Sequence, residues 1–171
     1  EIFGLSPDDI DFEASEVHVR RQVKLFSNNR QVFGLPKGRK TRKVPLPDAV
    51  RDAITAYMTA YPPREVALPW MVVDGKSTTV SLLLTSREKK ALGRNYFNTF
   101  LWRPALKSAG VPDLRENGCH ALRHFFASTA LHEGETIKAV SEYLGHADPG
   151  FTLRTYTHLM EGSSERTKRA I

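Results

Sequence analysis

Between Gly118 and Leu159 the chain reads GCHALRHFFASTALHEGETIKAVSEYLGHADPGFTLRTYTHL, and no other stretch restricts its folding so strongly. At about 100° per residue, Leu122, Phe125, Phe126 and Thr129 fall on one face of a helix, while His120 and Arg123 lie opposite, roughly 60° apart. The apolar face is expected to pack inward, and the polar pair to leave the core together. Residues three apart on a helix are neighbours, so an imidazole and a guanidinium can converge there on one anionic group such as a phosphate.

A second helix is expected to start near Thr136 and to carry Ile137, Val140 and Leu144 inward. It stops at Gly145, which can take the left-handed conformation that ends helices. His146 follows at once. Asp148 and Pro149 have the character of an N-cap and a first-turn proline for a third helix, on which Tyr156 sits about two turns in. One tight corner therefore presents a second histidine and a tyrosine.

The 171 residues, 40% of them hydrophobic, suffice for a sizeable core in one domain. No run approaches the eighteen or so apolar residues of a membrane span, and the first residues lack the pattern of a signal peptide, so a cytoplasmic protein is expected. Cys119, the single cysteine, excludes an internal disulfide and a thiolate metal cluster. A formal charge of +6 and a pI near 9.6 are compatible with a polyanionic partner.

The charge is unevenly placed. Glu1 to Glu16 holds six acids and no Lys or Arg, whereas Val19 to Lys43 holds nine bases and no acid. A charge block is commonly only a solvated surface. Here, however, Val17, Val19, Val23 and Leu25 alternate with His18, Arg20, Gln22 and Lys24, the period of a half-buried strand, with Arg21 the one misfit. Ser27 to Arg30 reads as a turn, Gln31 to Leu35 as a second strand, Lys37 to Lys40 as a turn and Thr41 to Pro45 as a third strand. Such an antiparallel sheet would display most of the bases along one edge. Arg20, Lys24, Arg39, Lys40, Arg42 and Lys43 are the candidate contacts to a polyanionic partner.

Pro47 to Tyr61 is expected to be a helix with Val50, Ile54, Tyr57 and Met58 in the core, ended by Pro62 and Pro63. Val72 and Val73, then Thr79 to Leu84, are candidate strands around an Asp74-Gly75 turn. The basic cluster Arg87, Lys89, Lys90 and Arg94 is assigned to a loop. Asn95 to Ala109 should be helical, with Phe97, Phe100, Leu101 and Leu106 inward and Gly110 as its stop. Glu161 to Ile171 is polar and charged, either a fraying tail or a short helix on a partner.

Three ordered motifs, HALR at His120 to Arg123, LGH at Leu144 to His146 and TYTHL around Tyr156, resemble those of the tyrosine recombinases or phage-type integrases. The resemblance implies an α+β fold, a mainly helical catalytic domain with a small three-stranded antiparallel sheet. The domain would span 1–171, with the sheet at about 14–46 and the helical part at about 47–171. It implies site-specific DNA recombination or integration, in which Tyr156 attacks a scissile phosphate, forms a 3′-phosphotyrosyl link and frees a 5′-hydroxyl. Arg123 would clamp the phosphate oxygens, His120 would act as acid or base near the tyrosine, and His146 would hydrogen-bond the phosphate. The family's catalytic lysine, in the turn between its second and third strands, maps to Lys37 within KGRKTRKVPLP, ahead of Lys40. A lysine that only touches a DNA phosphate as a point charge is the competing reading of Lys37.

No cofactor and no metal are implied, since the covalent link stores the bond energy. The implied partners are double-stranded DNA sites, three further copies in a homotetramer, and an accessory directionality factor, in a nucleoid-associated setting. Integration of a phage or mobile element and resolution of chromosome dimers both fall within the resemblance. One departure stands out: Glu1 looks like the acid that closes the family's GLRxxE motif, so a further catalytic arginine is expected three residues upstream. The chain is therefore expected to be the C-terminal portion of a larger integrase, inefficient by itself.

Three other readings compete. His120 and His124 are four apart and could share a metal, but HALRH lacks the glutamate of a zinc-protease helix. Residues 136–159 could form a noncatalytic helix-turn-helix DNA-binding module, although a second helix opening on Pro149, Gly150 and Phe151 offers few groups to base edges. The chain could also be a protein-interaction fragment that packs on another subunit.

Overall fold

The computed structural model describes residues 1–26 and 29–156. They form two compact units, Glu1–Leu101 and a second that begins at Trp102. The expected tail, Glu161 to Ile171, and part of the Ser27 to Arg30 turn lie outside the described residues.

The first unit is organised by a buried carboxylate. Asp9, 2% exposed, closes a 3-10 turn (Pro7–Asp9) by accepting the Ser6 backbone N–H at 2.9 Å. A charge so buried needs a partner. Arg21 supplies it, donating to both Asp9 oxygens at 2.6 and 3.0 Å and to the Gly4 carbonyl at 3.1 Å. The residue that broke the alternation thus faces inward, and the expected Val17 to Leu25 strand is two strands, β2 (Glu16–Val19) and β3 (Gln22–Leu25).

The two halves pair with different neighbours, which corrects the expected sheet. A three-stranded antiparallel sheet runs β1 (Ile10–Asp11), β2, β5 (Arg42–Pro45), with Val17 opposite Val44. Strand β3 instead pairs with β4 (Gln31–Gly34), with Val23 opposite Phe33. Helix α1 (Asp48–Ala60) lies where Pro47 to Tyr61 predicted one. Ile54 and Met58 pack on Ile10, Leu46 and Leu83, whereas Val50 and Tyr57 are exposed, contrary to expectation. The hairpin expected around Asp74-Gly75 is present, but its strands are β6 (Arg64–Pro69) and β7 (Ser77–Leu82), which bury Val66 and Leu82 against Phe33 and Ala91. Val72 and Val73 lie in the connecting turn.

The helix expected over Asn95 to Ala109 is interrupted. It comprises α2 (Arg94–Phe97), a π-type turn (Asn98–Trp102) and α3 (Arg103–Ser108). Pro104 has no N–H to return to the preceding turn, which accounts for the break. Phe97 stacks on Phe3 with ring centroids 5.4 Å apart and Leu106 is buried, but Phe100 and Leu101 are exposed rather than inward.

In the second unit, α4 (His120–His132), α5 (Ile137–Leu144) and α6 (Pro149–Tyr156) enclose a core of Ala127, Leu131, Val140, Leu144 and Tyr156. The local signals hold. Thr136 caps α5 by accepting the Ala139 N–H at 3.1 Å, Gly145 ends it at φ 71°, and Asp148 accepts the Gly150 N–H at 2.8 Å. The inward face of α4 does not. Leu122 and Phe125 are 57% and 70% exposed, Phe126 and Thr129 are exposed too, and the side packed on α5 and α6 carries Ala127 and Leu131. Arg123, one turn before Ala127, lies along that side. Periodicity groups the residues that share a face, but partners from elsewhere decide which face is covered.

Candidate active site

Tyr156 closes α6 with its ring in the core, 4% exposed. Its hydroxyl hydrogen-bonds Nδ1 of His124 on α4 at 2.9 Å, with ring centroids 5.7 Å apart. One turn back on α4, His120 meets His124 edge-on at 5.8 Å and is itself exposed. Arg123 donates from Nη2 to the carbonyl of Leu144 at 2.5 Å, so its guanidinium is fastened to the residue before the Gly145 stop. Burial pushes the Tyr156 phenol up, the Arg123 charge pulls it back, and the net position is above the ordinary value.

His146 stands just past that stop. Its Nδ1 hydrogen-bonds Thr152 Oγ1 at 2.7 Å, and its ring meets Phe151 edge-on at 4.8 Å. Thr152 is fully buried and lies one turn before Tyr156, so the helix that carries the phenol also fixes the second imidazole. The corner therefore brings Tyr156 to the Arg123 and His124 side of α4 and holds His146 on α6. Sequence reasoning missed His124 and Thr152. His124 entered it only as a metal partner of His120, yet its spacing of four from His120 already placed both rings on one side of a helix.

In the first unit, Lys37 is exposed in a 3-10 turn (Lys37–Arg39) between β4 and β5, where Gly38 adopts φ 79°. Glu1 braces this region. Its carboxylate takes two hydrogen bonds from Arg42, at 3.1 and 2.6 Å, and one from the Lys37 backbone N–H. Burial opposes its charge, but these donors hold it below the ordinary carboxylate value.

The six candidate DNA contacts divide. Arg20 bonds His18 at 2.9 Å and lies 3.7 Å from Asp9, Arg42 is engaged by Glu1, and Lys43 lies 2.7 Å from Glu16. Lys24 runs its stem over Gly34, where an added Cβ would come within 3.2 Å of Cε and Nζ. Arg39 and Lys40 are exposed in the turn that carries Lys37.

The profile of the phage integrase family matches residues 1–162. The chain belongs to this family. It is 33% identical over 138 residues to the tyrosine recombinase XerD of Rhizobium meliloti, covering 80% of this chain and 40% of that protein. It is 29% identical over 170 residues to a XerC-like tyrosine recombinase of Caldanaerobacter subterraneus, covering 94% of this chain and 42% of that protein. The chain thus spans about two fifths of these relatives. Among solved structures, the Tn1549 transposon integrase in complex with a circular intermediate DNA superposes with a TM-score of 0.73 at 22% identity, covering 100% of this chain and 54% of the other. The XerA recombinase gives a TM-score of 0.63 at 23% identity, over 99% and 50%. The tyrosine-recombinase fold expected from the motifs is therefore the one observed. Among the described residues, no helix is long and apolar enough to cross a membrane.

Proposed function

We propose that this chain supplies the strand-cleaving and rejoining chemistry of a site-specific DNA recombinase, with Tyr156 as nucleophile. The observation that carries the reading is the docking of the Tyr156 hydroxyl on the side of α4 that bears Arg123 and His124. Support also comes from the relatives, named as tyrosine recombinases, and from a fold neighbour bound to DNA. The partner is double-stranded DNA, engaged by four copies of the complete protein on paired sites.

The phenol oxygen attacks the phosphorus as the bond to the 5′ oxygen breaks, leaving a 3′-phosphotyrosyl link. Charge grows on the non-bridging oxygens, and Arg123, whose planar guanidinium can donate two parallel hydrogen bonds, meets it. His146, held by Thr152, presents its other ring nitrogen to the same phosphate. Lys37 gives a proton to the departing 5′ oxygen. Removing one such donor typically costs about 3 kcal/mol in the transition state. Reversal by another strand's 5′-hydroxyl completes the exchange.

The test incubates the protein from its complete reading frame with a duplex nicked beside the recombination site and looks for a covalent adduct after denaturation. Tyr156→Phe should remove the adduct and leave DNA affinity close to that of the parent. An adduct that survives this substitution refutes the nucleophile assignment.

A further inference from the structure

We infer that His124, rather than His120, takes the proton from the attacking tyrosine; the inference rests on the reading of Tyr156 as nucleophile. A general base must lie within hydrogen-bonding reach of the proton it removes. His124 Nδ1 is 2.9 Å from the Tyr156 oxygen. The hydrogen bond of the phenol is to His124, whose ring His120 meets edge-on with centroids 5.8 Å apart. His120 and Tyr156 face His124, and the Arg123 charge acts on the Tyr156 phenol.

The proton inventory is closed. With Nε2 protonated, Nδ1 has a lone pair and the phenol O–H donates into it. As the oxygen bonds to phosphorus, the O–H bond breaks and the proton passes to Nδ1, giving an imidazolium. The bond from phosphorus to the 5′ oxygen breaks, and that oxygen takes a separate proton from Lys37. On rejoining, the imidazolium returns its proton to the phenol. His120, exposed at the first residue of α4, is left to address the phosphate. Burial raises the Tyr156 pKa, which makes an adjacent acceptor more necessary, because little phenolate forms unaided near neutral pH.

The experiment uses the complete protein and the nicked duplex, together with a duplex in which sulfur replaces the scissile 5′ bridging oxygen. A thiolate departs without being protonated. His124→Asn keeps a polar group near Nδ1 but no base, and it guards against a packing defect in His124→Ala. Both variants should form adduct about 10²- to 10⁴-fold more slowly than the parent on both duplexes, the range for a lost general base. Lys37→Ala should recover on the sulfur duplex. A parent-like rate in His124→Asn, or its recovery on sulfur, overturns the inference while the Tyr156 reading stands. No adduct from the parent itself overturns both.

Discussion

The basic sheet region and the corner around Tyr156 hold their polar groups differently, although the second unit also has ion pairs, Arg103 with Asp113 and Arg154 with Asp148. In the first, Arg21, Arg42 and Lys43 lie against Asp9, Glu1 and Glu16, so cation and anion close on each other and fix the backbone. In the corner around Tyr156, Arg123 donates to a backbone carbonyl, His146 bonds a threonine hydroxyl, and His124 bonds a phenol. Hydrogen bonds of this kind orient a side chain by direction as well as by charge, which suits groups that must meet a reacting phosphate. A basic composition by itself does not separate these fates.

The contrast is broken most severely at Asp9. Asp9→Ala strands the Arg21 guanidinium against the Gly4 carbonyl and should lower unfolding free energy by about 3–5 kcal/mol, the cost of removing one member of a buried pair. Chemical denaturation measures it, and a loss under 1 kcal/mol would mean the pair is not structural. Arg123→Lys comes next. It keeps the charge but not the planar fork, and adduct formation on the nicked duplex should fall about 10²- to 10³-fold with DNA affinity little changed. An equal fall in affinity would instead make Arg123 a binding residue.

The Glu1–Arg42 pair gives a smaller, pH-dependent effect. Glu1 titrates below its ordinary value in the folded chain, so its contribution is complete above the ordinary carboxylate range and disappears as acid protonates it at its lower folded pKa. Arg42→Gln should therefore cost about 1 kcal/mol near pH 7 and progressively less as acid protonates Glu1 in the folded chain, measured as paired denaturation curves. A pH-independent cost would leave packing, not charge, as the reason Arg42 is held. The smallest difference is expected within the basic block. Lys43, exposed like Arg39 and Lys40, is engaged by Glu16, so Lys43→Gln should weaken DNA binding less than Arg39→Gln or Lys40→Gln. The salt dependence of affinity for each variant checks this ordering.

Several of these contrasts were invisible in the sequence. Arg21 showed as an irregularity in an alternating strand, but nothing local said that it would turn toward a carboxylate twelve residues earlier. The wheel over His120 to Thr129 sorted the faces and then chose Leu122 and Phe125 for the inside. Ala127 and Leu131, the residues that α5 and α6 cover, make a less apolar-looking side. Choosing by hydrophobicity fails where a small residue lets helices approach and polar groups line the contact. Tyr156 was legible as a nucleophile candidate from its motif, whereas its hydrogen-bond partner His124 was not, since thirty-two residues separate the two.

The sequence by itself determined where α5 begins and ends, the corner that presents His146, and the order of the three motifs. Caps, left-handed glycines and first-turn prolines act through atoms only a few residues away. Only the tertiary structure decided which side of α4 meets its neighbours, which strands share a sheet, and which nitrogen receives the phenol. Each of those choices balances burial and hydrogen bonding between residues far apart in the chain, and no local pattern carries that balance.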